Sequence, residues 1–135
     1  MTKKKKNNFS KIKIGTDICQ IKRVKSVYRR YGGRFLYRVL TENEIRYVTS
    51  NTKSLINRLA GRYAAKEAVS KVLGTGLKGV YFKEIEILRE DSGAPKVVLH
   101  KRAKKIAMKK KLHNFEVSIS HEIDFAIAIV VATTR

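Results

Sequence analysis

Acids are scarce in this chain: 11 against 31 lysines and arginines in 135 residues, for a formal net charge of +20. Two of them stand where a carboxylate is out of place. Asp17 follows Gly15 in KIKIGTDI, and Glu67 interrupts the alanine-rich stretch GRYAAKEAVSKVLGTG. A carboxylate among apolar neighbours needs a partner, because burying it unpaired is costly. For Glu67 two partners are open. Lys71 lies four residues on, the spacing of a helix ion pair worth a few tenths of a kcal/mol. The other is a divalent cation: a hard ion such as Mg²⁺ takes oxygen ligands, keeps several waters, and uses one or two carboxylates together with substrate phosphates. Asp17 would then be the second carboxylate; alternatively it caps the helix that begins near Gln20. The exit VLGTG adds Gly74, Thr75 and Gly76, a turn whose N–H groups could meet a phosphate, although a helix C-cap already accounts for Gly74. The lysine precedes these glycines instead of following them, which argues against a P-loop nucleotide triphosphatase.

Elements must hold these residues. In KIKIGTDI, Ile12, Ile14 and Ile18 fall on one face and Asp17 and Cys19 on the other, so a strand is expected to end near Asp17. A basic helix follows from about Gln20 to Tyr31, with Val24, Val27 and Tyr31 on one side, and Gly32-Gly33 breaks it. Thr41 and Glu44 have the spacing of a capping box. A long helix is expected from about Thr52 to Leu73, stopped at Gly74. At 100° per residue Arg58, Arg62 and Lys66 form one ladder, while Glu67 lies on a second stripe with Lys71 one turn beyond. The second half reads as strands. Tyr81 to His100 forms a hairpin around Asp91-Ser92-Gly93, RAKKIAMKKKL is a short basic amphipathic helix, EVSISH is a strand, HEID a turn and FAIAIVVA the closing strand. The order β, three helices, ββ, α, ββ predicts an α+β fold, a small antiparallel sheet packed against the long helix. One domain is expected over 12–135, preceded by a basic, frayed tail over 1–11.

Composition narrows the class. A hydrophobic share of 43% is ordinary for a globular chain. No apolar run approaches the roughly 18 residues of a membrane span, and the basic start has no apolar segment after it, so no secretory signal is expected. The single Cys19 excludes an internal disulfide and a cysteine-based zinc site. The expected location is cytoplasmic. A charge of +20 attracts polyanions: nucleic acid, an anionic lipid surface, an acidic protein or a phosphorylated cofactor.

Three blocks carry a resemblance. IGTDICQIKRV, GRYAAKEAVSKVLGTG and VSISHEIDFAIAIVV, supported by FLYRVLTENE and DSGAPKV, resemble the holo-acyl-carrier-protein synthases, in the same order and over Lys13 to Val131. The resemblance implies a small α+β phosphopantetheinyl-transferase fold. It implies an enzyme that moves 4′-phosphopantetheine from coenzyme A to a serine of the acidic acyl carrier protein, with Mg²⁺ as cofactor. It further implies a homotrimer with an active site at each subunit interface, and no specific nucleic-acid partner. By the same resemblance Asp17 and Glu67 are metal ligands. Arg62 and Lys71 face coenzyme A phosphates, Gly74, Thr75 and Gly76 form the loop near the nucleotide, and His121 reaches the coenzyme A site across the interface. Arg23 grips the carrier protein, and Arg30 and Arg34 share its basic segment. The base that deprotonates the attacking serine is either a water on the cation or Glu67. Tyr63 stands where the family often has Phe or Trp, and the tract Lys101 to Lys111, more basic than the family requires, reads as a solvated helix face. The competing class, a basic RNA-binding or ribosome-associated module, accounts for the charge and the lysine tracts but not for Asp17, Glu67 and SISH together.

Overall fold

The computed structural model describes residues 11–134; the basic tail expected over 1–11 lies, apart from Lys11, outside them. Strand β1 (Ile12–Gln20) pairs antiparallel with β5 (Phe125–Thr134), which pairs antiparallel on its other side with β4 (Leu112–His121). A separate antiparallel hairpin is made by β2 (Ile85–Arg89) and β3 (Pro95–Leu99). The helices are α1 (Ile21–Tyr31), α2 (Gly33–Val39), α3 (Glu42–Thr49), α4 (Leu55–Leu73) and α5 (Lys101–Lys109). The α+β class and the long helix against an antiparallel sheet are as expected. The structure differs in three places. Four helices, not three, lie between β1 and the hairpin, because α2 starts again directly after Gly32, whose positive φ of 55° ends α1. The strands form two sheets instead of one. β1 does not end near Asp17: its pairing with β5 continues through Cys19↔Ala126 to Gln20↔Phe125.

Small residues let the sheet and α4 approach closely. Ala60, Ala64, Ala65 and Ala68 of α4 are fully buried, as are Ala126, Ala128, Val130 and Ala132 on the facing side of β5. Contact is closest at Gly15 of β1. A Cβ there would lie 2.1 Å from the Ala68 carbonyl oxygen and 2.9 Å from Val72 Cγ2, so only glycine fits. The isoleucine face of β1 points the other way: Ile12, Ile14 and Ile18 are 63%, 67% and 61% exposed, and Phe125, Ile127 and Ile129 of β5 share that outer surface.

The far side of α4 is fixed by a buried polar knot. The capping box is present, with Glu44 N–H donating to Thr41 Oγ1 and Thr41 N–H to Glu44 Oε1. The same Glu44 carboxylate is buried and does more. It takes the Ile87 N–H at 2.9 Å and the Lys66 ammonium at 2.7 Å, and Lys66 also donates to the carbonyls of Phe82 and Ile85. Each ammonium proton thus has an acceptor, the condition under which a buried charge is tolerated. α3, α4 and the hairpin are locked together at one point. The predicted C-cap at Gly74 is also present, in the left-handed region with φ 77°.

Candidate active site

The close packing at Gly15 places β1 beside the middle of α4, and a cleft of about 310 Å³ opens there. Asp17 enters it from β1, Glu67 from α4 and Arg23 from α1, against a wall that includes Phe35 and Tyr63. The Asp17 carboxylate does not cap α1, whose first turn has no side-chain cap at Gln20. Nor does Lys71 pair with Glu67. Its ammonium crosses to β1, donating to the Thr16 carbonyl at 2.8 Å and to Asp17 Oδ1 at 3.3 Å. Both local readings of these residues give way to long-range contacts.

The electrostatics follow from this arrangement. Burial, and then the nearby Asp17 charge, push the Glu67 carboxyl above its ordinary value, and Lys71 and the Tyr63 hydroxyl offset this only in part. Two carboxylates lining one cleft form a hard oxygen donor set that a divalent cation would neutralise. No cluster of three or more metal-ligating side chains occurs among the described residues, so the remaining ligands would come from water and substrate oxygens, the usual mode for Mg²⁺. Cys19 also lines the cleft, its thiol pushed up to about 11 by burial and by Asp17; it is a wall residue there, not a nucleophile.

Residues 13–130 match the model of the 4′-phosphopantetheinyl transferase superfamily. The chain belongs to that family. Its holo-[acyl-carrier-protein] synthase relative from Gloeobacter violaceus is 44% identical over 118 residues, covering 87% of this chain and 89% of that one. The crystal structure of the Neisseria meningitidis holo-[acyl-carrier-protein] synthase superposes with a TM-score of 0.81 at 36% identity, covering 89% of this chain and 96% of that one. The Helicobacter pylori enzyme in complex with coenzyme A gives a TM-score of 0.75 at 36% identity, covering 88% and 98%. The alternative of an RNA-binding module has no support among these relatives.

Within this transferase chain the remaining site residues fall into two groups. Arg34 lines an apolar groove that adjoins the cleft through Val27, Phe35 and Tyr63. Arg30, farther along α1, lies over the Tyr31 ring at 5.4 Å. Gly74, Thr75 and Gly76 form the turn just past the end of α4, where the Lys110 ammonium caps the Leu73 carbonyl. Of the predicted site residues only Asp17, Glu67 and Arg23 line the cleft itself, and Arg62 and His121 lie in other surroundings. Arg62, about 140° around α4 from Glu67, is buried over the Tyr47 ring at 4.2 Å beside Arg58 and Arg89. His121 is exposed at the end of β4; it pairs with Ala126, which pairs with Cys19, so it lies two strands or about 10 Å from Cys19. The reading of the sequence missed Lys66–Glu44 and the Tyr63–Glu67 contact. The first was detectable by the argument applied to Glu67, since a lysine on a helix buried all round also needs a partner.

Proposed function

We propose that this chain transfers 4′-phosphopantetheine from coenzyme A to a serine of apo acyl carrier protein, releasing adenosine 3′,5′-bisphosphate. The observation that carries this is the meeting of Asp17, Glu67 and Arg23 in one cleft, on a fold shared with holo-[acyl-carrier-protein] synthases, one of them solved with coenzyme A. Mg²⁺, held by Asp17 and Glu67, would supply neutralisation of pyrophosphate charge. The chain's own groups do the rest. Lys71, which donates to the Thr16 carbonyl of β1, would hold a phosphate oxygen by a charge-assisted bond. Glu67 would be the proton acceptor for the carrier's serine hydroxyl. The serine oxygen forms the new P–O bond, the bond from that phosphorus to the bisphosphate oxygen breaks, and the proton leaves on Glu67. Arg23 at the cleft mouth meets the acidic carrier.

We read the working form as a cytoplasmic homotrimer. Its support is the outer sheet face, where six large apolar side chains stand more than 40% exposed, and the distance of the exposed His121 from the cleft within one chain. A second copy would supply that histidine. The transfer is tested by mass spectrometry of an apo carrier protein incubated with the protein, coenzyme A and Mg²⁺. A gain of about 340 Da, the size of the transferred group, abolished by Glu67→Ala and by EDTA, is expected. No gain on several apo carriers, or a gain that survives Glu67→Ala, would overturn the assignment.

A further inference from the structure

A second concave surface lies between α2, the turn before β2 and the start of α5. It holds about 680 Å³ and is lined by Arg38, Lys83, Lys101 and Lys104, with Tyr81 at its edge. All four cations are exposed, and none of them forms a salt bridge among the described residues. The acid in its wall is already committed: the Glu84 carboxylate takes the Tyr81 and Arg102 backbone N–H groups at 2.8 and 3.0 Å. The His100 ring faces Glu86 at 3.1 Å. No carboxylate forms a salt bridge with the four cations among the described residues, and a concave wall with this excess of positive charge concentrates the field above it.

This surface is continuous with the active cleft. Arg38 also lines the groove that contains Arg34, Phe35 and Tyr63, and the last two belong to the cleft itself. Arg34 and Arg38 are one turn apart on α2, about 6 Å, and the Lys83 ammonium sits 5.9 Å from the ring of Tyr37, the residue before Arg38. A protein interface of ordinary size takes about 800 Å² from each partner, roughly 28 Å across if square, enough to span several such neighbouring surfaces.

We propose that this depression is the distal half of the carrier-docking surface, where acidic side chains of the carrier seat on Arg38, Lys83, Lys101 and Lys104 while its serine enters the cleft beside Arg23. The inference rests on the proposed carrier-protein transfer. An acidic protein fits better than a small anion: the four cations stand exposed on flexible stems instead of converging as buried, unpartnered donors, and such charges govern encounter and register in a protein interface.

The test compares steady-state transfer to an apo acyl carrier protein by Lys83→Glu/Lys104→Glu and by Lys53→Glu/Lys109→Glu. The second pair makes the same change in net charge at exposed positions outside the depression. The first pair is expected to raise the carrier KM about tenfold at low salt and to leave the coenzyme A KM unchanged, and the gap should close in 1 M salt, where the Debye length is about 3 Å. The second pair should leave the carrier KM within about twofold of the unsubstituted protein. Lys83→Gln/Lys104→Gln should shift it in the same direction by less, which keeps the test open if the glutamates disturb folding. An unchanged carrier KM overturns the proposal, as do equal effects of the two Glu pairs. Loss of binding to anionic phosphatidylserine vesicles with an unchanged carrier KM would assign the surface to lipid and also overturn it. Failure of the unsubstituted protein to modify any carrier is a different result, visible before any variant is made, and it would remove the transfer reading together with this one.

Discussion

Gly15→Ala is the smallest change that separates packing from chemistry in this protein. The new Cβ would start 2.1 Å from the Ala68 carbonyl oxygen, and ordinary contact begins at 3.4 Å. That oxygen belongs to helix backbone and cannot swing away, so β1 and α4 must separate by about 1.3 Å, the difference between those two distances. Asp17 is two residues from Gly15, and Glu67 is the neighbour of Ala68, so the separation falls directly between the two carboxylates. Overpacking of this kind costs about 1–3 kcal/mol, and for a domain of this size each kcal/mol lowers Tm by about 4 °C. A displacement of about 1 Å at reacting groups costs about 10²-fold in rate. The expected outcome is a folded variant, its Tm down by about 4–12 °C, with kcat for carrier modification reduced about a hundredfold. The control is Gly33→Ala, where an added Cβ meets nothing within 4 Å; it should leave both quantities unchanged. Gly15→Ala with kcat within threefold and Tm within 1 °C of the unsubstituted protein would refute the claim that this contact sets the spacing of the two carboxylates.

Lys66→Met keeps the length of a fully buried side chain but leaves the Glu44 carboxylate without its counter-charge; breaking such a pair costs about 3–5 kcal/mol, read as a lowered urea midpoint, and a loss under 1 kcal/mol would refute the lock between α3, α4 and the hairpin. Glu86 tests the pH dependence. Burial alone would raise its carboxyl, but hydrogen bonds from Thr41, His100 and Asn43 outweigh it and hold the group below its ordinary 4.5. A carboxyl lowered on folding contributes stability above its unfolded value, and this is lost as pH falls through the folded one. Glu86→Gln should therefore be less stable than the unsubstituted protein at pH 7, and the gap should narrow as pH falls below the carboxyl's ordinary 4.5, measured as urea midpoints across that range; a constant difference would refute the assignment.

What the sequence made legible was local or strongly punctuated. The capping box at Thr41 and Glu44 and the left-handed cap at Gly74 need only a few neighbouring residues, and both are present. What escaped was decided by partners far along the chain. Asp17 looked like a strand end because it is polar, yet β5 pairs with β1 three residues past it, as far as Gln20. Lys71 had an acid one helical turn away, yet it is held by Thr16 and Asp17, more than 50 residues distant. α2 was hidden behind Gly32-Gly33, because seven residues show less than two turns of periodicity. The two candidate metal ligands were legible for another reason. A carboxylate in an alanine-lined helix stands out in a chain with so few acids, and Gly15 marks the strand that can approach that helix.

The alternation in β1 and β5 told the two faces of the sheet apart but not which one is inside. Both faces of β5 are apolar. The inner one carries Ala126, Ala128, Val130 and Ala132, and the outer one Phe125, Ile127 and Ile129. The small residues are inside because α4 comes so close; the large ones have no cover among the described residues, and an exposed apolar patch of this extent marks an interface. Ile129 lies at its centre, paired with Thr16 on one side and Ser118 on the other. If copies pack through this face as proposed, Ile129→Lys puts an unpaired charge into that contact while leaving the fold of the single chain intact. For the proposed trimer, sedimentation should fall from three times the 15.4 kDa chain mass to one, with the far-UV circular dichroism unchanged. Carrier modification should be lost with it, because the exposed His121 lies outside the cleft of its own chain. A monomeric Ile129→Lys variant that still modified the carrier at full rate would show that Asp17, Glu67 and Lys71 suffice, and that the active site is complete within one copy.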